Sequence, residues 1–122
     1  MGKFVIGKTN NGQYRFNLKA GNGEIIATSE SYTTLAACKN GVESVKKNAF
    51  AEIEDQTLEE NKKNPKYELY LDKAGEYRFR LKAANGEPIC HGEGYKAKAS
   101  CKNGIESIGR NAPDAEVVVV EE

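Results

Sequence analysis

The chain states one pattern twice. Tyr14-Arg15-Phe16-Asn17-Leu18-Lys19-Ala20-Gly21-Asn22-Gly23-Glu24 returns as Tyr77-Arg78-Phe79-Arg80-Leu81-Lys82-Ala83-Ala84-Asn85-Gly86-Glu87. Cys38-Lys39-Asn40-Gly41-Val42-Glu43-Ser44-Val45 returns as Cys101-Lys102-Asn103-Gly104-Ile105-Glu106-Ser107-Ile108. The offset of 63 runs without a gap from Phe4/Tyr67 to Ala49/Ala112, and about half of the aligned positions are identical. A repeat of this period marks a supersecondary unit that recurs and packs against its copy. It constrains the architecture tightly and says nothing of an activity.

At 122 residues the chain has the length of one ordinary domain. Units of half that size have marginal cores, so the two halves are expected to share one. We read residues 1–122 as a single pseudo-symmetric domain: repeat 1 at 3–54, a linker at 55–66 and repeat 2 at 67–120. Eighteen basic and eighteen acidic side chains cancel, which removes any global pull toward nucleic acid or an anionic membrane. No apolar run is long enough for a transmembrane helix, and Met1–Lys8 is too short in its apolar part for a signal peptide. The expected location is cytoplasmic. Three cysteines without a Cys-x-x-Cys spacing, beside a single His, argue against a disulfide framework and a structural zinc site.

Within the repeat, Lys3–Lys8 reads as a first strand. Tyr14–Ala20 alternates, with Tyr14, Phe16, Leu18 and Ala20 toward a core and Arg15, Asn17 and Lys19 toward water. Gly21-Asn22-Gly23 marks a hairpin, and Glu24–Glu30 is the third strand. From Thr33 to Asn48 the period changes to that of a helix, with Leu35, Cys38, Val42, Val45 and Ala49 on one face. Ala51–Glu54 is a short fourth strand. The second repeat gives strands at Tyr67–Asp72, Tyr77–Ala83 and Glu87–Glu93, a helix from Lys96 to Asn111 stopped by Pro113, and a final strand carrying Val117–Val120. Those valines suit a strand covered on both faces or packed at a subunit contact. The fold class is α+β: a tandem β-β-β-α-β repeat forming one largely antiparallel sheet, with both helices on one face.

The string Tyr-x-Phe-x-Leu-Lys-Ala-x-Asn-Gly-Glu, the Ser29-Glu30-Ser31-Tyr32 step and Asn-Gly-(Val/Ile)-Glu-Ser-(Val/Ile) together resemble the YegP-like family of small tandem-repeat proteins. The resemblance spans residues 4–49 and 67–112, and implies fourth strands exchanged between halves: Glu52–Glu54 would cross to repeat 2 and Val117–Val120 to repeat 1. It implies no activity. Repeat 2 departs from the pattern at Gly92-Glu93-Gly94.

Few residues offer chemistry. Cys38 and Cys101 share a helix face with aliphatic residues, the setting of a packing thiol. Cys90 and His91 are adjacent on a strand and so point to opposite faces, which forbids a nucleophile–base pair. Gly41 and Gly104 bear the cost of glycine within a helix, about 1 kcal/mol against alanine, as close approach between helix and sheet would require. Lys39, Asn40, Glu43, Ser44 and Asn48 recur identically, as would a binding surface or a shared structural role. The open sheet face carries Arg15, Asn17 and Lys19 in repeat 1 and Arg78, Arg80 and Lys82 in repeat 2, with Tyr70 outward beside them. Such a face suits a single-stranded nucleic acid or another polyanion, unless Glu30 and Glu93 neutralise it. That depends on the hairpin register. A two-residue Asn-Gly loop pairs Arg15 with Glu30 and turns Ile26 and Ile89 outward; a three-residue Gly-Asn-Gly loop turns them inward, opposite the leucines, and is preferred.

The expected function is a non-enzymatic structural or protein-interaction module, with a weak anion or nucleic-acid binder as the alternative. No catalytic residue, cofactor, metal or membrane partner is expected, and the chain is expected to be a monomer with a pseudo-dimeric fold.

Overall fold

The computed structural model describes residues 2–120. Each repeat supplies three antiparallel strands, a helix and a fourth strand. They are β1 (Lys3–Lys8), β2 (Tyr14–Lys19), β3 (Ile25–Ser29), α1 (Leu35–Asn48) and β4 (Glu52–Asp55), then β5 (Lys66–Leu71), β6 (Tyr77–Lys82), β7 (Pro88–His91), α2 (Lys98–Asn111) and β8 (Glu116–Val119). All eight strands form one sheet in the order β4-β5-β6-β7-β3-β2-β1-β8. The fourth strands are exchanged: β4 lies parallel to β5 of the other repeat, and β8 parallel to β1. The antiparallel β3–β7 pair, joined at Thr28↔His91 and Ser29↔Cys90, sits at the pseudo-two-fold axis.

Alternation decides what lies under the helices. Phe4, Ile6, Phe16 and Leu18, and their counterparts Tyr67, Leu69, Phe79 and Leu81, are fully buried on one face. Cys38, Val42 and Val45 of α1 and Cys101, Ile105 and Ile108 of α2 close over them in a single apolar cluster. Both helices therefore share one side of the sheet, and neither repeat has a core of its own. The entries to the two helices differ. Thr34 caps α1, its hydroxyl accepting from the Ala37 N–H at 3.0 Å, whereas Ala97 at the same place before α2 offers no side-chain cap.

The hairpin register corrects the preferred reading. Lys19 faces Ile25, as a three-residue loop demands, but Leu18 faces Ala27, as a two-residue loop demands. A β-bulge at Ile26 reconciles them: the extra residue tucks inward and both Ile26 and Ala27 are buried. Repeat 2 does the same with Ile89 and Cys90. The leucines therefore face Ala27 and Cys90, not the isoleucines. Gly23 and Gly86 take φ of 88° and 85° at the turn tips, which only glycine adopts at little cost.

The last strand is a second correction. β8 lies at the edge of the sheet, not inside it, and Val117, Val119 and Val120 remain 38–44% exposed. The residues after each helix also leave the offset of 63. Ile53 stands beside Tyr67 and Val117 beside Phe4, so the fourth strands are related by 64 and repeat 2 carries one extra residue near Pro113.

Candidate functional site

The open face is one row of side chains running the width of the sheet. Successive partners are Val118, Val5, Asn17, Thr28, His91, Arg80, Glu68 and Glu54. The Thr28 hydroxyl donates to Asn17 Oδ1 at 2.9 Å. On the far side Glu68 is buried, and its carboxylate gathers Arg80 at 2.5 Å, Lys82 at 3.5 Å and Lys66 at 3.6 Å. Burial pushes its pKa up, but the hydrogen bond from Arg80 and the three cations outweigh this and hold it below the ordinary value. Arg80 also lies over the Tyr70 ring at 4.5 Å, and Arg78 is bound to Asp72 at 2.5 Å.

The segment after β4 folds back onto this half. A single turn of 3-10 helix at Gln56–Leu58 begins it. Lys62 N–H, the Gln56 amide and the Lys66 ammonium all donate to the buried Glu54. Led by the Lys66 bond, they bring its pKa down to about 2. Asp55 turns to the helix side, where the Lys98 ammonium meets it at 2.9 Å.

Of the six residues read from the sequence as a candidate surface, Arg78, Arg80 and Lys82 are thus engaged by carboxylates. The neutralising groups are Asp72 and Glu68, not Glu93. Arg15 and Lys19 make no ion pair among the described residues. Glu30 lies 3.8 Å from His91 Nδ1 and forms no ion pair with Arg15.

The thiols are sealed. Cys38, Cys90 and Cys101 are fully buried and unbridged. Burial pushes Cys38 and Cys101 up to about 11 and Cys90 up to about 12, far from a thiolate at neutral pH. His91 stands on the opposite face from Cys90 and is exposed. Among the described residues no three His, Cys, Asp or Glu side chains are placed to hold a metal ion, and no helix is long and apolar enough to cross a membrane.

Two clefts on the helix side are built from both repeats. At the C-terminal end of β3 the chain turns through Glu30 and Tyr32 into α1. Because β3 and β7 are antiparallel, the β6–β7 turn of repeat 2 arrives at the same place. The result is a cleft of about 500 Å³ between Tyr32, Asn40 and Ser44 of repeat 1 and Asn85, Glu87 and Ile89 of repeat 2. Its pseudo-symmetric mate, about 200 Å³, lies between Glu93, Tyr95 and Ser107 and the Asn22–Ile26 turn. Of the twelve residues lining the larger cleft, all but Ser31, Ala37 and Pro88 are identical in the other repeat. Of the nine lining the smaller, all but Ile25 are. Across the repeats as a whole the identity is only about half.

Some of this retention is structural. A Cβ at Gly41 would overlap the Tyr32 hydroxyl, and one at Gly104 would stand 2.6 Å from that of Tyr95; the helix glycines make room for these phenols. Asn22 and Asn85 each accept from the N–H two residues on, at 3.0 Å. Asn48 and Asn111 donate back to Ser44 and Ser107, which accounts for two of the five identical helix positions. The departure at Gly92 has a similar cause, since a Cβ there would overlap the Phe79 ring. Glu24 accepts from the Asn22 amide at 3.4 Å, whereas Glu30 and Asn40, with their mates Glu93 and Asn103, have no such account. The signal for them was present as polar identity between repeats. The cleft itself was hidden because its walls lie some fifty residues apart in sequence.

The family model described as "Domain of unknown function (DUF1508)" matches twice, at residues 10–55 and 72–118. A UPF0339 protein in the ptx operon 5′ region of Stutzerimonas stutzeri is 40% identical over 119 residues, 98% of this chain and 96% of that one. A UPF0339 protein of Treponema denticola is 60% identical over 55 residues, 45% of this chain but 95% of its own length. The solution structure of YegP from E. coli, a protein of unknown function, superposes with a TM-score of 0.79 at 36% identity, covering 97% of this chain and 91% of that one.

Proposed function

The chain belongs to the DUF1508 family, and on that premise we propose that it is a non-enzymatic interaction module whose contact surface is the pair of inter-repeat clefts. One observation carries this reading: the cleft linings keep most of their residues through the duplication, while about half of all aligned positions have changed. The sealed thiols, with His91 on the opposite sheet face from Cys90, support a role without covalent chemistry. Three unpaired cysteines also fit a reducing, cytoplasmic location. We take the chain to act as a monomer, since its fold already joins two repeats. A screen of the full chain against broad ester, phosphoester and acyl-transfer substrates should return no turnover. Robust turnover abolished by changing one cleft side chain, such as Tyr32→Phe, contradicts the reading.

A second reading, a weak binder of anions or single-stranded nucleic acid, keeps one specific support. Arg15 and Lys19, with Asn17 between them, are unpaired among the described residues, whereas Arg78, Arg80 and Lys82 are occupied. It predicts salt-sensitive binding lost in Arg15→Ala/Lys19→Ala and retained in Arg78→Ala. A flat titration with single-stranded DNA and RNA at low salt removes it.

A further inference from the structure

We propose that β8 is a docking strand: an extended segment of a partner protein adds to its free edge, laying two apolar side chains against Val117 and Val119 and turning an acidic one toward Arg15. The inference rests on the interaction-module reading and gives it a second contact surface, in addition to the inter-repeat clefts.

The backbone of β8 sets the requirement. Val120 N–H donates to Ile6 O at 2.8 Å, in a parallel ladder where Val119 stands beside Ile6. Backbone groups along a strand point alternately to either side. Val118 and Val120 therefore serve β1, while the N–H and C=O of Val117 and Val119 look outward. No strand of the described residues lies beyond them. The other edge shows what such groups take. Asp55 holds the place in β4 that Val119 holds in β8. Its N–H donates to Glu60 Oε1 at 3.1 Å and its C=O accepts from the Glu60 N–H at 3.3 Å, so polypeptide already occupies that edge. Edge strands that stay bare are usually blunted by charge, proline or a bulge. β4 carries Glu52, Glu54 and Asp55. Val117–Val120 carry none of these devices, and their register with β1 is regular.

The side chains around β8 name the partner's chemistry. Val117 and Val119 rise on the helix side and, with Lys39, Val42 and Glu43 of α1, line a groove of about 290 Å³. An added antiparallel strand exchanges both backbone bonds with each of these valines. Its residues opposite them point to the same side, over the groove. Lys39 and Glu43 offset each other in charge, so uncharged β-branched side chains fit there best. On the open face Arg15 and Val120 border one cleft across Gly7, which has no side chain to separate them. No acidic residue lines that cleft. A carboxylate on the partner strand opposite Val120 supplies one, and a basic residue opposite Glu116 completes the match. The segment, read antiparallel to β8, is thus acidic, apolar, neutral, apolar, basic.

The test is a titration of the ¹⁵N-labelled full chain, followed by amide shifts, with the peptide acetyl-Ser-Glu-Val-Thr-Val-Lys-Ser-amide. The same peptide N-methylated at both valines, which cannot donate to the edge, is the control. The expected result is saturable movement of the Val117–Val120 and Glu43 amides, with a Kd of about 1 mM or below, and none with the control. Val119→Pro removes an outward N–H that β1 does not use, and should weaken binding about tenfold. Val117→Lys puts a charge into the groove and should weaken it as much, which keeps the test decisive where proline disturbs β8. Arg15→Gln should weaken it about threefold, and exposed Lys63→Gln should not alter it. No saturable shift up to about 5 mM, an equal response to the N-methylated peptide, or binding that Val117→Lys retains in full overturns the proposal. Movement of the β8 amides with protein concentration alone also overturns it, since the edge then belongs to a second copy. Each of these failures leaves the interaction-module reading standing, because only turnover counts against the latter.

Discussion

The two ends of the sheet solve one problem with opposite chemistry. Each must attach a parallel fourth strand borrowed from the other repeat. At one end β4 joins β5 through Glu54, Glu68 and Lys66, and residues 56–62 fold over the pair. At the other end the equivalent positions are Val118, Val5 and Lys3, and β8 ends the sheet with exposed valines. The helix side repeats the theme: Asp55 pairs with Lys98 where the other half has Val119 and Leu35. Duplicated backbones thus tolerate a complete exchange of apolar for ionic contacts at an edge. What they retain is the core and the clefts.

Acid should separate the two ends most strongly. Glu54 is lowered to about 2 by its hydrogen bonds, led by Lys66. Asp72 is lowered chiefly by Arg78, and Asp55 and Glu68 are lowered by partners that outweigh burial. All four lie in the β4–β5–β6 end. Each folded pKa is below the unfolded one, so the unfolded chain binds more protons in acid and the stabilisation is present above about pH 4.5. It is lost as pH falls toward about 2. Amide exchange at pH 6 and pH 3 should show protection falling in β4 and β5 well before β1 and β8; equal losses contradict the contrast.

Single substitutions come next. Glu68→Ala leaves Lys66, Arg80 and Lys82 without their shared carboxylate and should cost about 3 kcal/mol. The related Val5→Ala removes part of a half-buried side chain and should cost about 1 kcal/mol, both read from urea unfolding. Near-equal costs would dissolve the distinction between the ends.

Gly41→Ala drives a methyl into the Tyr32 hydroxyl and to within 3.1 Å of the Phe16 ring. It should destabilise by about 1–2 kcal/mol net of the gain in helix propensity. Tyr32→Phe in the same chain removes the overlapping oxygen and should recover part of the loss. Gly104→Ala, with a looser neighbour, should cost less; a gain at Gly41 would show that the phenol yields freely.

The smallest effects belong to the helix entries. Thr34→Ala should cost about 1 kcal/mol and Ala97→Thr should gain about 0.5 kcal/mol, because α1 has a side-chain cap and α2 lacks one. Thermal unfolding of the two variants checks both signs.

The strand and helix spans were legible because each depends on periodicity within some twenty residues, and the repeats and their shared core because the identity at an offset of 63 runs without a gap. The bulge at Ile26 was not. Two loop lengths satisfied different parts of the same hairpin, and only the assembled sheet accommodates both. The place of β8 was half legible: four consecutive valines read as a strand covered on both faces or packed at a subunit contact, and the structure overturns the first, since they complete an edge. Arg80 looked free from its own strand, since its partner Glu68 arrives from β5 and from a position that is Val5 in the first repeat. The clefts were invisible for the same reason: their two walls come together only after the β3–β7 pair has formed.

That pairing, with the crossed fourth strands, is the centre of the account, and residues 1–55 expressed alone test it most directly. Without β5 to receive β4, and without β8 to cover β1, the fragment should sediment either as an unfolded chain or as a homodimer that rebuilds the eight-stranded sheet. A folded monomer at micromolar concentration, with β1 to β4 protected from amide exchange, would contradict it and make the repeats two independent units.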